Sequence, residues 1–422
     1  MKNEDTNSDE RGSGLDRRQL LAAGLGALAL ANSAQARIRV FAPAGGEAGD
    51  AQPRTLVLVQ LSGGNDALSM VVPWADDGYN KVRDAIRIGA KEVQKLDDYR
   101  GLHPELKQLR KLWDKRHMAI VEGCSYPTPN RSHFKSMEIW QTASLSGRTG
   151  GDGWIGRMCD AAFPEGAAPE LIVHVGGAAP YSVFSRTHPA IVFQTPYSYK
   201  WVAPEDEDRE LYKESGKDDM GGESKGQKRV LEHLRGVLND ANESSLRIRR
   251  AAAEYDPRVE YPAEDFAQTL KVAAALIDAR IGTRVISVEL GGFDTHNNQR
   301  PAHDACMRRL DAGLGAFLND IIGTQAGRDV IVVCFSEFGR RVKENGSRGT
   351  DHGVAAPMLV FGEQVKGGLY GEHPSLTDLM DGDLRMTTDF SSVYGTVIEK
   401  WFKAEQEKVL DAQYPTLGFV EA

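Results

Sequence analysis

Six short runs of continuous apolarity, each bounded by a glycine-rich or polar loop, constrain this chain more than any other feature. Residues 55–61 read Thr-Leu-Val-Leu-Val-Gln-Leu and run into Ser62-Gly63-Gly64, and comparable runs recur at 117–121, 171–175, 284–290, 329–335 and 357–361. A sheet with one wet face asks for alternating apolar and polar residues. Unbroken apolarity suits strands buried on both faces, as in a parallel sheet. Helix-period stretches lie between the runs. Residues 303–321 place Cys306, Leu310, Leu314, Phe317, Leu318 and Ile321 on one stripe, and Leu106, Leu109, Leu112 and Trp113 form a shorter one. Phe390, Val393, Tyr394, Val397, Trp401 and Phe402 predict a terminal helix that Thr388 or Asp389 can cap. The alternation predicts an α/β fold: a mostly parallel, doubly wound sheet flanked by helices.

The ends and the middle of the chain differ from this pattern. Arg17-Arg18, an apolar run over 22–31 and Ala34-Gln35-Ala36 are the parts of a twin-arginine export signal over 1–36. The expected partner is the twin-arginine translocase, and the expected location is the periplasm or the exterior. Residues 37–54, rich in Ala, Gly and Pro, read as a linker, and 55–422 as the α/β domain. Within it, about 190–282 reads as an insertion or cap. It contains a charged stretch at 203–229 without apolar period, and helical stretches near 228–250 and 263–281. Tyr197, Tyr199 and Trp201 in this cap read as core packing or as a platform for a partner or glycan. A net charge of −9 argues against nucleic acid. After the signal, no apolar stretch approaches the ~20 residues of a membrane span. The four cysteines, Cys124, Cys159, Cys306 and Cys334, form no C-x-x-C pair, which argues against a zinc-thiolate site.

Ligands of open α/β sheets bind beyond the carboxyl ends of the strands, so the loops after the apolar runs are where chemistry is expected. They carry Asn65-Asp66, Gly292-Phe293-Asp294-Thr295-His296 and Ser336-Glu337-Phe338-Gly339-Arg340, and Asp351-His352-Gly353 precedes the last run. Carboxylates and histidines mixed in this way suit divalent ions. The loop 126–134 leads into helical character at 136–142. Ser132 would sit near that helix's N-terminus, either as a plain N-cap or as a nucleophile favoured by the helix amides.

Leu-Ser-Gly-Gly-Asn-Asp at 61–66, Pro-Asn-Arg-Ser-His-Phe at 129–134, Gly-Gly-Phe-Asp-Thr-His at 291–296, Ser-Glu-Phe-Gly-Arg at 336–340 and Asp-His-Gly at 351–353 together carry a resemblance. The chain resembles the domain-of-unknown-function 1501 family, exported proteins placed near the alkaline phosphatase and sulfatase superfamily. The resemblance covers most of 55–403. It implies an alkaline phosphatase-like fold holding one or two divalent ions (zinc, manganese, magnesium or calcium) and a Ser or Thr nucleophile for phosphate or sulfate esters. Asp66, Ser132, Asp294 with His296, Glu337 and His352 fall in the superfamily's order. The chain departs from that pattern at Ser62-Gly63, where an Asp-Gly is expected, and at Glu337-Phe338, which replaces an Asp-His pair. These departures take ligands away from at least one of the superfamily's two metal positions.

The expected function is an exported metal-dependent hydrolase of a small anionic phosphate or sulfate ester. Asp66, Asp294, His296, Glu337 and His352 would hold metal, Ser132 would attack, and Arg131 or Arg340 would clamp the anion. The alternative is a non-catalytic exported binding or assembly protein on a degenerate phosphatase-like scaffold.

Overall fold

The computed structural model describes residues 54–146, 151–199, 225–410 and 412–421, with the backbone alone for 225–239. The export signal, linker residues 37–53, Trp201 and the charged stretch 203–224 lie outside the described residues. All described residues fall within one unit, Pro43–Ala422.

Nine strands form the main sheet: β1 Thr55–Ser62, β2 Met118–Ser125, β3 Ile172–Val175, β4 Ile191–Phe193, β5 Val285–Gly291, β6 Val330–Phe335, β7 Ala356–Phe361, β8 Gly368–Tyr370 and β9 Thr388–Asp389. Their order is β8-β2-β7-β6-β1-β5-β3-β4, with β9 also on β2. β1 lies between β5 and β6 in parallel register, Leu58 beside Ser287 on one side and Val333 on the other. The continuous apolarity of 55–61 is thus that of a central strand covered on both faces. The sheet is mostly parallel but mixed, because β7 runs antiparallel to both β6 and β2. The remaining pairings are parallel. This direction matters for the site. The loop before β7 reaches the edge where the parallel strands end, so Asp351-His352 meets the loops that follow β1, β5 and β6.

Two helical layers cover the sheet. On one face, Val57, Val59 and Leu61 pack with α1 (Lys107–Asp114), α4 (Lys225–Glu254), α5 (Asp265–Asp278) and α6 (Gln299–Ile321). The predicted stripe from Cys306 to Ile321 is buried along its whole length. On the other face, Leu56 and Leu58 pack with α2 (His133–Thr142), α3 (Trp154–Ala162) and α7 (Phe390–Thr396). There Trp140 stacks between Phe335, at 5.5 Å, and Phe390, at 4.3 Å, while Trp154 stacks on Tyr394 at 4.1 Å. Each fully buried side chain of this size contributes roughly 1.5–3 kcal/mol. Asp389 caps α7 by accepting from Ser391 N at 2.8 Å.

In the segment expected as an insertion, the two ends belong to the sheet. Ile191–Phe193 is its edge strand, and α5 buries Phe266, Leu270, Ala273 and Leu276 against it. Tyr197 is exposed, whereas Tyr199 stacks on Phe193 at 5.7 Å. The four cysteines are buried free thiols. No described helix is long and apolar enough to cross a membrane.

Candidate metal centre

At the carboxyl edge of the central strands, four loops converge on the Asp294 carboxylate. Asp294 and His296 follow β5, Glu337 follows β6, His352 precedes β7, and His133 opens α2. Asp294 Oδ1 lies 3.1 Å from His296 Nε2, 3.2 Å from His352 Nε2 and 3.6 Å from His133 Nε2. The ligand atoms of His133, Asp294 and His352 all lie within 4.8 Å of one another. His296 Nε2 is 2.9 Å from His352 Nε2.

The opposite nitrogen of each ring is held from outside. His133 Nδ1 donates to Glu337 Oε1 at 2.8 Å, His352 Nδ1 to the Arg131 carbonyl at 2.8 Å, and His296 Nδ1 to Asp351 Oδ1 at 3.3 Å. A ring that donates through Nδ1 as neutral imidazole turns a lone pair inward at Nε2. Three such lone pairs and a carboxylate oxygen therefore face one another across a few ångströms, an arrangement that only a proton or a cation relieves. Outer acceptors that fix the ligand tautomer are a recurrent feature of histidine metal sites.

The electrostatics agree with this reading. Burial pushes the Asp294 carboxyl up, but the hydrogen bond from Arg340 and the Arg340 charge bring it to about 2, so it is ionised. Burial lowers His352, favouring its neutral form. The hydrogen bond to Glu337 raises His133, against the effect of burial, making it the more basic ring.

The loops are shaped for this approach. Gly63, at φ +119°, leaves no room for a Cβ, which would sit 2.4 Å from Asp294 N. Its own N–H donates to Glu337 Oε1 at 2.9 Å. Phe338 is buried behind the rings, 4.9 Å from His133 and 4.7 Å from His352 between centroids.

The residues singled out from sequence divide accordingly. Asp294, His296 and His352 come together as ligand candidates. Glu337 is buried one step out, behind His133, and supports rather than joins the group. Asp66 is not brought to the centre: its carboxylate accepts from Arg83 Nη2 at 2.9 Å, Ser69 Oγ at 2.6 Å and Gln299 Nε2 at 2.6 Å, and it also pairs with Arg83 Nη1. Arg340 is fully buried. Its guanidinium donates to Gly64 O at 2.7 Å, Thr350 O at 2.8 Å, the Gly63 carbonyl and Asp294 Oδ1 at 2.6 Å. It knits the loops together and anchors Asp294, and is not free to clamp a substrate. Arg131 pairs with Asp383.

Ser132 is the exposed N-cap of α2, but its side chain makes no capping hydrogen bond. Asn130 Oδ1 instead accepts from Ser132 N at 2.8 Å. The hydroxyl therefore does not serve as a cap, between Arg131, whose carbonyl holds His352, and His133. Sequence reasoning passed over His133, although it stands one residue into the helix beside the serine. It also passed over Asp351. Their available signal was a polar residue directly beside a chosen one.

No curated protein matches the chain. Among solved structures it is similar to a protein in the alkaline phosphatase superfamily from Vibrio parahaemolyticus, at 9% identity over 79% of this chain and 67% of that one, TM-score 0.33. It is also similar to lipoteichoic acid synthase LtaP from Listeria monocytogenes, at 9% identity over 81% and 76%, TM-score 0.37. A third is PsFucS1 sulfatase from Pseudoalteromonas sp., at 10% identity over 78% and 66%, TM-score 0.33. All three TM-scores lie below 0.5. The family model of the protein of unknown function DUF1501 matches residues 116–411, more than half of the sequence, and the chain belongs to that family.

Proposed function

We propose that this chain is an exported metal-dependent hydrolase of phosphate or sulfate esters, working with one ion held by His133, Asp294, His296 and His352. The observation that carries the reading is the convergence of three histidine Nε2 atoms on Asp294 Oδ1 while every Nδ1 is held from outside. Three imidazoles and one carboxylate suit zinc better than calcium or magnesium, which take shells of oxygen. Among the described residues one group of three converging ligands is present, His133, Asp294 and His352, with His296 beside it, which supports one ion rather than two. When bound, the ion would supply Lewis-acid polarisation of an ester oxygen.

The chain's own groups supply the rest. Glu337 and the Arg131 carbonyl keep the His133 and His352 rings oriented. Arg340 keeps Asp294 ionised and in place. The Ser132 hydroxyl, at the start of α2, stands where free amides and the helix dipole favour an approaching anion. Attack by its Oγ would form an Oγ–P or Oγ–S bond and break the bond to the leaving oxygen, the hydroxyl proton passing through water to that oxygen so that it departs as the alcohol. A water molecule would then cleave the serine ester and regenerate the hydroxyl. The ester chemistry rests on the motif resemblance. Export, with 1–36 as signal and 37–54 as linker, rests on Arg17-Arg18 and the apolar run that follows.

A second reading, a non-catalytic exported binding or assembly protein, draws support from Asp66 and Arg340, both locked in internal pairs. Metal analysis by inductively coupled plasma mass spectrometry, followed by assay with p-nitrophenyl phosphate and p-nitrophenyl sulfate, separates the two. About one equivalent of metal, lost in a His133→Ala/His352→Ala variant, with turnover lost in Ser132→Ala while metal is kept, is the expected result. Metal without turnover of any ester favours the second reading. A folded protein without metal overturns the centre itself.

A further inference from the structure

We propose that Arg131 and Arg341, positioned by the buried carboxylate of Asp383, form an anion-binding arm beside the metal centre that takes a tetrahedral oxyanion. The inference deepens the reading above and rests on it for the ester group the arm would hold. Asp383 follows a tight hairpin between Leu379–Met380 and Asp383–Leu384, whose central residues Asp381 and Gly382 have φ of +53° and +86°. Asp-Gly is the pair that such a turn favours. The turn places Asp383 inward with no exposed side-chain surface. Arg131 donates to its Oδ2 through Nε, at 2.9 Å, and through Nη2. Asp383 Oδ1 has no hydrogen-bond partner among the described residues, and Arg341 Nε stands 3.9 Å from it. Two guanidiniums thus share one buried carboxylate.

Both arginines are tied by their backbones to the metal centre. The Arg131 carbonyl accepts from His352 Nδ1 at 2.8 Å, and Arg341 N donates to Asp351 O at 3.0 Å. Arg340, the other candidate clamp, is enclosed and fully paired, whereas the Arg131 and Arg341 side chains are 37% and 38% exposed. Among the described residues the Arg341 guanidinium makes one hydrogen bond, from Nη1 to the Asp381 carbonyl at 3.2 Å, and Arg131 Nη1 makes none. Guanidinium forks with free N–H groups, held from behind by a carboxylate, match the oxygens of phosphate or sulfate.

The test is calorimetric titration of inorganic phosphate, and separately of inorganic sulfate, into the full chain supplied with zinc, with metal content measured on the same samples. The wild type is expected to bind at least one of the two anions, and which one it prefers identifies the ester class. Arg341→Gln, a change at a half-exposed side chain, should weaken that binding about tenfold or more with metal content unchanged. Arg341→Lys should recover only part of it, because a point charge lacks the fork. Asp383→Asn should weaken binding as well, and if that variant does not fold, Arg341→Gln decides. Wild-type affinity in Arg341→Gln, or binding of neither anion by the wild type, overturns the arm. A wild type without zinc that still binds phosphate through Arg341 overturns the metal reading and leaves the arm standing.

Discussion

Replacing Gly63 by alanine should damage stability and metal binding together, because one backbone contact serves both. Gly63 sits at φ +119°, and an added Cβ would lie 2.4 Å from Asp294 N and 2.8 Å from Phe293 C. Carbon and nitrogen rest near 3.5 Å, so the backbone at 293–294 must retreat by about 1 Å. A side chain at such a φ costs about 1–3 kcal/mol, and overpacking a filled site a similar amount. The sum is about 2–6 kcal/mol, centred near 4. In urea, with a slope of about 3 kcal/mol per molar, the unfolding midpoint of the metal-free protein should fall by about 1 M. The same retreat carries the Asp294 carboxylate with it, in a centre that tolerates about 0.2 Å. Zinc affinity, measured by competition with a chromophoric chelator, should drop by about 10- to 100-fold, as when an outer partner of a ligand is lost. Gly64→Ala is the comparison. Its Cβ would meet the Phe338 ring at 2.2 Å rather than backbone, so stability should fall with a smaller effect on zinc. A Gly63→Ala protein with wild-type midpoint and zinc affinity would refute the reasoning.

Three further outcomes are expected. Burial pushes the Asp66 carboxyl up, but Arg83 and, more weakly, His303 and Ser69 hold it at about 2 against an ordinary 3.8. Its contribution of about 2 kcal/mol is therefore complete above about pH 4 and lost as pH falls through about 2. Acid titration of stability should show this limb in the wild type and not in Asp66→Asn, which should also lose about 3–5 kcal/mol at neutral pH by leaving Arg83 buried alone. Trp140→Ala should cost about 3–5 kcal/mol in chemical denaturation, since it removes the ring stacked between Phe335 and Phe390; a loss under 1 kcal/mol would contradict that packing. The four cysteine thiols are buried, and burial raises the pKa of each, so a thiol reagent should label none in the native protein and all four after unfolding.

The elements that were legible in sequence are those whose environment repeats over many residues. β1 and β6 announced themselves through near-unbroken apolarity because a neighbouring strand on each side and a helix layer on each face leave almost no wet position. α6 announced itself through its stripe, and Asp389 through its place before α7. The two-residue strands Thr388–Asp389, Val71–Val72 and Gly101–Leu102 are too short to show a period. At the centre, Asp294, His296 and His352 were legible because the loops that carry them were expected to gather at one edge of a parallel sheet. Glu337 was legible as a residue but not as a support for His133. Asp66 and Arg340 looked like site residues and are structural, since nothing local shows Arg83 waiting for one or four oxygens waiting for the other.

By itself the sequence determined where strands and helices form, which faces of them are apolar, and which loops carry chemistry. These depend on side chains only a few residues apart. The tertiary structure alone decided which groups meet. The antiparallel course of β7 is not written in its apolar residues, yet it delivers His352 to the edge where β5 and β6 end. The turn from β2 into α2 brings His133 over Asp294 from a residue more than 150 positions away, and the hairpin at 381–382 sets Asp383 behind Arg131. Metal ligation and ion pairing depend on distances of a few ångströms between distant segments, and strand order and direction fix those distances.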